Sequence, residues 1–193
     1  MKKSMWWGGS LAGCLFAAGC LVQSLQPFYT ADAVVAMPQL NGSWRMLGKD
    51  FTNQPPWQFK DNTIETRDEK GGTGDLKVTY FKVKDQLFMD TLADDIGEGR
   101  ISSWWRFHVS PIHCLSQVTW TEKRMVIRPL SPEWFQQTCK DKKLNLSLAP
   151  RDEKEVPFST ATPAQWMAFL AQYGSSDEAF PTKGQYELER LTP

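Results

Sequence analysis

Apolar and polar positions alternate with a period of two over much of the chain, the pattern of strands with one face buried. Leu76, Val78 and Tyr80 fall on one parity, and Phe81 and Val83 continue on the other. A bulge near Tyr80 would reconcile the two. Lys84-Asp85-Gln86 then turns the chain into Leu87-Phe88-Met89-Asp90. Trp105, Phe107 and Val109 share one face of a further strand. Cys114, Ser116, Val118 and Trp120 form one side of the next, which Thr121-Glu122-Lys123 returns into residues 124–128. Shorter strands are expected at Trp44, at 57–59, at 63–67, around Pro157–Ala161 and at 185–191. The segment 68–74 is a polar glycine loop without the Gly-Lys-Ser/Thr ending of a phosphate loop.

Two stretches carry helix signals instead. Ser131-Pro132-Glu133 has a cap, a proline at the first position and an acid in the first turn, so a helix is predicted from there to about Lys142. Thr162-Pro163-Ala164-Gln165 fits a capping box, and Trp166, Phe169, Leu170 and Tyr173 lie on one helical face. No alternation of strand and crossover helix is present, which excludes a doubly wound fold. The reading is a mainly β chain: an antiparallel barrel with two short α-helices in its C-terminal half.

The start of the chain has a different character. Met1-Lys2-Lys3-Ser4 is cationic, and Met5 to Val22 contains no charge, the pattern of an export leader. Three endings compete: lipid attachment at Cys20 after Ala17-Ala18-Gly19, the same at Cys14 after Leu11-Ala12-Gly13, and cleavage after Ala31-Asp32-Ala33. Cys14 leaves too short an apolar run, which favours Cys20. The resulting division is 1–19 signal peptide, 20–39 lipid-anchored tether, and 40–193 barrel, with Phe28 and Tyr29 candidates to pack on the barrel.

Composition narrows the classes. A chain of 193 residues with 41% apolar and 12% aromatic residues is neither disordered nor long enough for two ordinary domains. A mean hydropathy of −0.44 excludes a multi-span membrane protein. Basic and acidic residues number 22 each, so no basic excess points to nucleic acid. Processing at Cys20 would leave 193 − 19 = 174 residues.

Four blocks, in order, are similar to a family of uncharacterised bacterial lipoproteins with a lipocalin-like β-barrel. They are Pro27-Phe28-Tyr29-Thr30-Ala31-Asp32 with Leu40-Asn41-Gly42-Ser43-Trp44; Leu87-Phe88-Met89-Asp90; His108-Val109-Ser110-Pro111-Ile112-His113 with Leu130-Ser131-Pro132-Glu133-Trp134; and Ser159-Thr160-Ala161-Thr162-Pro163-Ala164-Gln165-Trp166 with Ala179-Phe180. Gly42-x-Trp44 at the first strand is what small lipocalin-like barrels show. Ala33 and Cys114 depart from the family pattern. The resemblance implies the barrel and favours Cys20 as the lipidated residue, and it implies no activity.

Candidate chemistry is sparse. Cys114 and Cys139 could form a disulfide in an oxidising compartment or remain buried thiols. His108 and His113, with Cys114 and Asp90, are the candidate set for zinc, but residues five apart on a strand face opposite sides. No catalytic motif appears, and neither a metal nor another cofactor is expected. The expected function is an exported lipoprotein of the cell envelope, facing the periplasm and held at the outer membrane by its N-terminal lipid. It would bind an apolar or amphiphilic small molecule in a cavity lined by Leu76, Tyr80, Trp105 and Phe107. A solid barrel that docks other envelope proteins is the alternative, and an enzyme the third.

Overall fold

The computed structural model describes residues 21–67, 73–93, 112–141, 144–149 and 158–191. Eight antiparallel strands close into a barrel: β2 (Gly42–Met46), β3 (Trp57–Lys60), β4 (Thr63–Arg67), β5 (Thr73–Val83), β6 (Gln86–Ala93), β7 (His113–Trp120), β8 (Arg124–Pro129) and β11 (Tyr186–Arg190). Each pairs with its neighbour in sequence, β6 pairs β7, and β11 lies between β8 and β2 to complete the ring. The strand expected at 104–109 and the loop at 95–99 lie outside the described residues.

Between β8 and β11 the chain carries helix α1 (Pro132–Lys140), strands β9 (Leu148–Ala149) and β10 (Phe158–Ser159), and helix α2 (Pro163–Tyr173). The predicted caps are in place. Ser131 Oγ accepts from the Trp134 N–H, and Thr162 and Gln165 form a reciprocal capping box.

Tight turns join the hairpins at one end of the barrel. Asp61 and Asn62 both have positive φ, as a two-residue turn between right-twisted strands demands. Lys84 and Asp85 make the corresponding turn between β5 and β6.

Strand β5 corrects an expectation. Its pairing with β6 runs in unbroken register from Leu76↔Ala93 to Val83↔Gln86, with no bulge at Tyr80. Both parities are apolar because both faces are covered. Val78 and Tyr80 face the barrel interior, while Phe81 and Val83 face an outer layer.

Two cores therefore share one wall. The inner core includes Trp44, Phe59, Ile64, Val78, Met89, Met125, Ile127 and Leu188. The outer core stacks Phe135, Trp166, Phe169 and Leu170 from the helices, with Phe180, against Phe81, Phe88 and Leu115 of the wall. Its aromatic rings meet at 4.5–6.1 Å, among them Phe28–Trp166 at 4.5 Å and Phe88–Phe180 at 5.6 Å.

Packing is close where α2 ends on this wall. A Cβ built on Gly174 would lie 2.5 Å from the Leu170 carbonyl oxygen and 2.9 Å from Phe88. Gly174→Ala should therefore cost about 1–3 kcal/mol by overpacking, read from urea unfolding; a neutral result would mean the helix end has room.

The N-terminal segment is the second correction. From Leu21 onward, the residues expected as a tether belong to the folded body. Strand β1 (Gln23–Ser24) pairs with β7 and, in parallel, with β10, which pairs β9. Val22, Ser24 and Phe28 are buried in the outer core or beneath it. The segment then runs beside β5, where Val34 pairs with Phe81 and the Val35 N–H donates to the Tyr80 carbonyl. Phe28 and Tyr29 do pack on the domain, Tyr29 at 5.5 Å from Phe81. The segment is held because its apolar side chains complete a layer that the two helices alone leave open.

Candidate functional site

The two ends of the barrel differ. At the end with the tight turns, Trp44 is wholly buried and donates its indole N–H to the Leu40 carbonyl at 2.9 Å. The Arg190 guanidinium lies 4.3 Å from the centre of the Trp44 ring. It donates to the carbonyls of Asn41 at 2.7 Å, Glu122 at 2.9 Å, and Gln39. One cation thus ties the turn before β2 to the turn after β7 and covers the buried indole, closing this end. Gly42 is needed here twice over: its φ is +134°, and a Cβ would come within 2.9 Å of Arg190 Nη1.

The opposite end carries the long connections, the rim residues Met46, Leu76 and Tyr186, and strand β1. Just outside β2, residues Arg45–Gly48 and Thr52–Pro56 line a recess of about 510 Å³. Its walls mix apolar Met46, Leu47, Pro55 and Pro56 with polar Arg45, Asn53 and Gln54. That volume lies within the usual range for small-molecule sites.

Of the four expected cavity residues, Leu76 and Tyr80 belong to the inner wall, Leu76 half-buried and Tyr80 buried. Burial pushes the Tyr80 phenol well above the usual tyrosine range, so it stays a protonated donor. Trp105 and Phe107 lie outside the described residues, as do Cys20 and His108.

Cys114 and Cys139 are free thiols, so the candidate disulfide is not formed. The reason is placement. Cys114 shares the parity of Val118 and turns to the barrel side of the wall, whereas Cys139 packs in the outer core beneath α1. Cys114 is pushed up to about 11 by burial and by the Asp90 charge, and Cys139 to about 11 by burial. Both are therefore poor nucleophiles at neutral pH.

Asp90 and His113 meet on the outer side of the same wall. His113 Nδ1 lies 2.9 and 3.0 Å from the two carboxylate oxygens, and the Phe28 N–H donates to one of them at 3.4 Å. Asp90 is buried and His113 nearly so. Among the described residues no three metal-ligating groups converge, and Cys114 faces away from this pair. Burial pushes the Asp90 carboxyl above the usual carboxylate range, against the lowering effects of His113 and the Phe28 N–H.

A raised folded pKa means that the folded state holds the proton more tightly than the unfolded state does. The contribution to stability is therefore present at low pH and is lost as pH rises through the folded value. Asp90→Asn should remove this term. In urea unfolding from about pH 4 to pH 7, the wild type should lose stability relative to the variant as pH rises. A relative gain would contradict the buried carboxyl.

Sequence reasoning did not find the closing role of Arg190, and it groups Asp90 with His113 only within a four-residue zinc set, not as a pair. Only the register of β6 on β7 and the return of β11 beside β2 bring those groups together. No family model, no curated protein and no solved structure matches this chain. The closed eight-strand antiparallel barrel is compatible with the lipocalin-like fold.

Proposed function

We propose that this chain is an exported lipoprotein of the cell envelope, acylated at Cys20, that holds an apolar or amphiphilic small molecule in the recess at the end of its barrel opposite Arg190. The observation that carries the reading is the inequality of the two ends. One is plugged by Arg190 over a packed indole, and the other keeps a recess of about 510 Å³ whose lining mixes apolar and polar side chains. Such a surface matches a molecule with a hydrocarbon part and a polar head. The cationic, then apolar, leader with Ala18-Gly19-Cys20 supports export and lipidation. Two or more acyl chains on that thiol supply stable anchorage, and the body adds no basic excess of its own.

The test is titration with a dansyl-labelled fatty acid. Saturable one-to-one binding is expected, and Leu47→Asp should weaken it about tenfold, a cost near 1.4 kcal/mol, by placing a charge in the recess. Non-saturable uptake, or a Leu47→Asp variant that binds like wild type, would reject the site.

One observation favours a second reading. The inner core is filled by large side chains, Trp44, Met125 and Leu188 among them with no exposure. A solid barrel of this kind serves as a docking module for another envelope protein. Under that reading the fatty acid does not saturate, and crosslinks from Gly74 beside the glycine loop capture one reproducible partner in cells.

A further inference from the structure

We infer that the rim of the open end, through Leu21, Leu25 and Phe158, is a membrane-contacting face that directs the barrel mouth at the bilayer; this rests on lipidation at Cys20. Strand β1 runs antiparallel to β7, so the chain reaches that rim at Ser24 and the residues before Gln23 lie back from it. Gln23 and Ser24 pair with Cys114 and His113, the first residues of β7, at the end opposite Arg190. Val22 is already buried, with 2% exposure. A residue two positions before it can stand at most about 7 Å away, since a fully extended chain spans about 3.3–3.6 Å per residue. No long tether therefore separates an acyl group at Cys20 from the folded body at β1.

The side chains agree with this placement. Val22 and Ser24 turn to the helices, so Leu21 and Leu25 turn away, each 39% exposed. They are two of the four exposed large apolar side chains among the described residues. Phe158 lies directly across from Gln23, and Ala149 across from Phe158, on the same face. Through Gln23↔Cys114 this face continues into the inner wall of the barrel. Leu21 and Leu25, with the half-buried Phe158, thus flank Gln23 on one face of β1. A lipid surface is the occupant it fits, because the acyl chains hold one within reach of it. The molecule bound at the recess would then be one drawn from the bilayer.

The experiment uses the full chain, exported and purified from membranes. Leu25→Cys is compared with Asp85→Cys at the turn of the closed end. Each protein is inserted from detergent into preformed vesicles of phosphatidylethanolamine and phosphatidylglycerol, then treated with a polyethylene glycol maleimide. The unsubstituted chain gives the background from Cys114 and Cys139. In vesicles Leu25→Cys should react about tenfold more slowly than in detergent, while Asp85→Cys keeps its rate. A spacer of about ten Gly and Ser residues after Cys20 should restore the Leu25→Cys rate.

Equal rates for an acylated protein would overturn the mouth-down arrangement and leave lipidation standing. Slow reaction in detergent as well would assign the face to a second copy of the chain, and also overturn it. An intact mass without acyl groups would remove the anchor reading and this inference together.

Discussion

Trp44→Ala should destabilise the protein by about 4 kcal/mol, the upper part of the range for emptying a buried aromatic site. Three losses combine. The cavity opens in the inner core, where Trp44 has no exposure and Phe59 lies 6.4 Å away. The Leu40 carbonyl loses its indole donor. Arg190 loses the ring beneath its guanidinium, an interaction worth about 0.5–2 kcal/mol. Trp44→Phe separates these terms, since it retains much of the packing but not the indole N–H. Urea unfolding should place it between wild type and Trp44→Ala. If both variants unfold at the wild-type midpoint, this end is not closed as described.

The second large effect is expected at Phe28. Phe28→Ala should cost about 3–5 kcal/mol, because the ring is fully buried, 4.5 Å from Trp166. The loss should not stay local. The Phe28 N–H donates to Asp90, and the chain on either side is held by the Leu25 N–H to the Ser159 carbonyl and the Val35 N–H to the Tyr80 carbonyl. Hydrogen exchange should therefore show Leu25 and Val35 losing protection along with the outer core. A free tether over 20–39 predicts the opposite: no change in stability and no protected amides there to lose.

The sequence made some of this architecture legible and hid the rest for physical reasons. Met125 and Ile127 recur with a period of two, between Arg124 and Arg128, because their strand, β8, turns those side chains into the barrel. The capping residues Ser131 and Thr162 act within three residues of themselves, so their signal is local. β5 misled because a strand covered on both faces loses its alternation, and lost alternation resembles a bulge. The N-terminal segment misled because two-residue strands leave almost no periodicity. Leu21 to Ala33 reads as a connector until its partners on β7, β10 and α2 are known. Arg190 looks like a solvated charge near the chain end, and nothing nearby in sequence announces Trp44 beneath it. The parity of Leu76 and Tyr80 puts them on the inner face, where they pack with the core, while the recess is lined by other residues. The recess outside β2 comes from the path of residues 47–56, which no periodicity encodes.

Native mass spectrometry of the full-length product, extracted from membranes in a mild detergent, tests the central claim most directly. The account predicts an acylated chain of 193 − 19 = 174 residues carrying one non-covalent amphiphile, with the amphiphile lost in Leu47→Asp and the acyl groups kept. An unacylated chain, or an acylated one that never carries a bound molecule even when fatty acid is added, would contradict it.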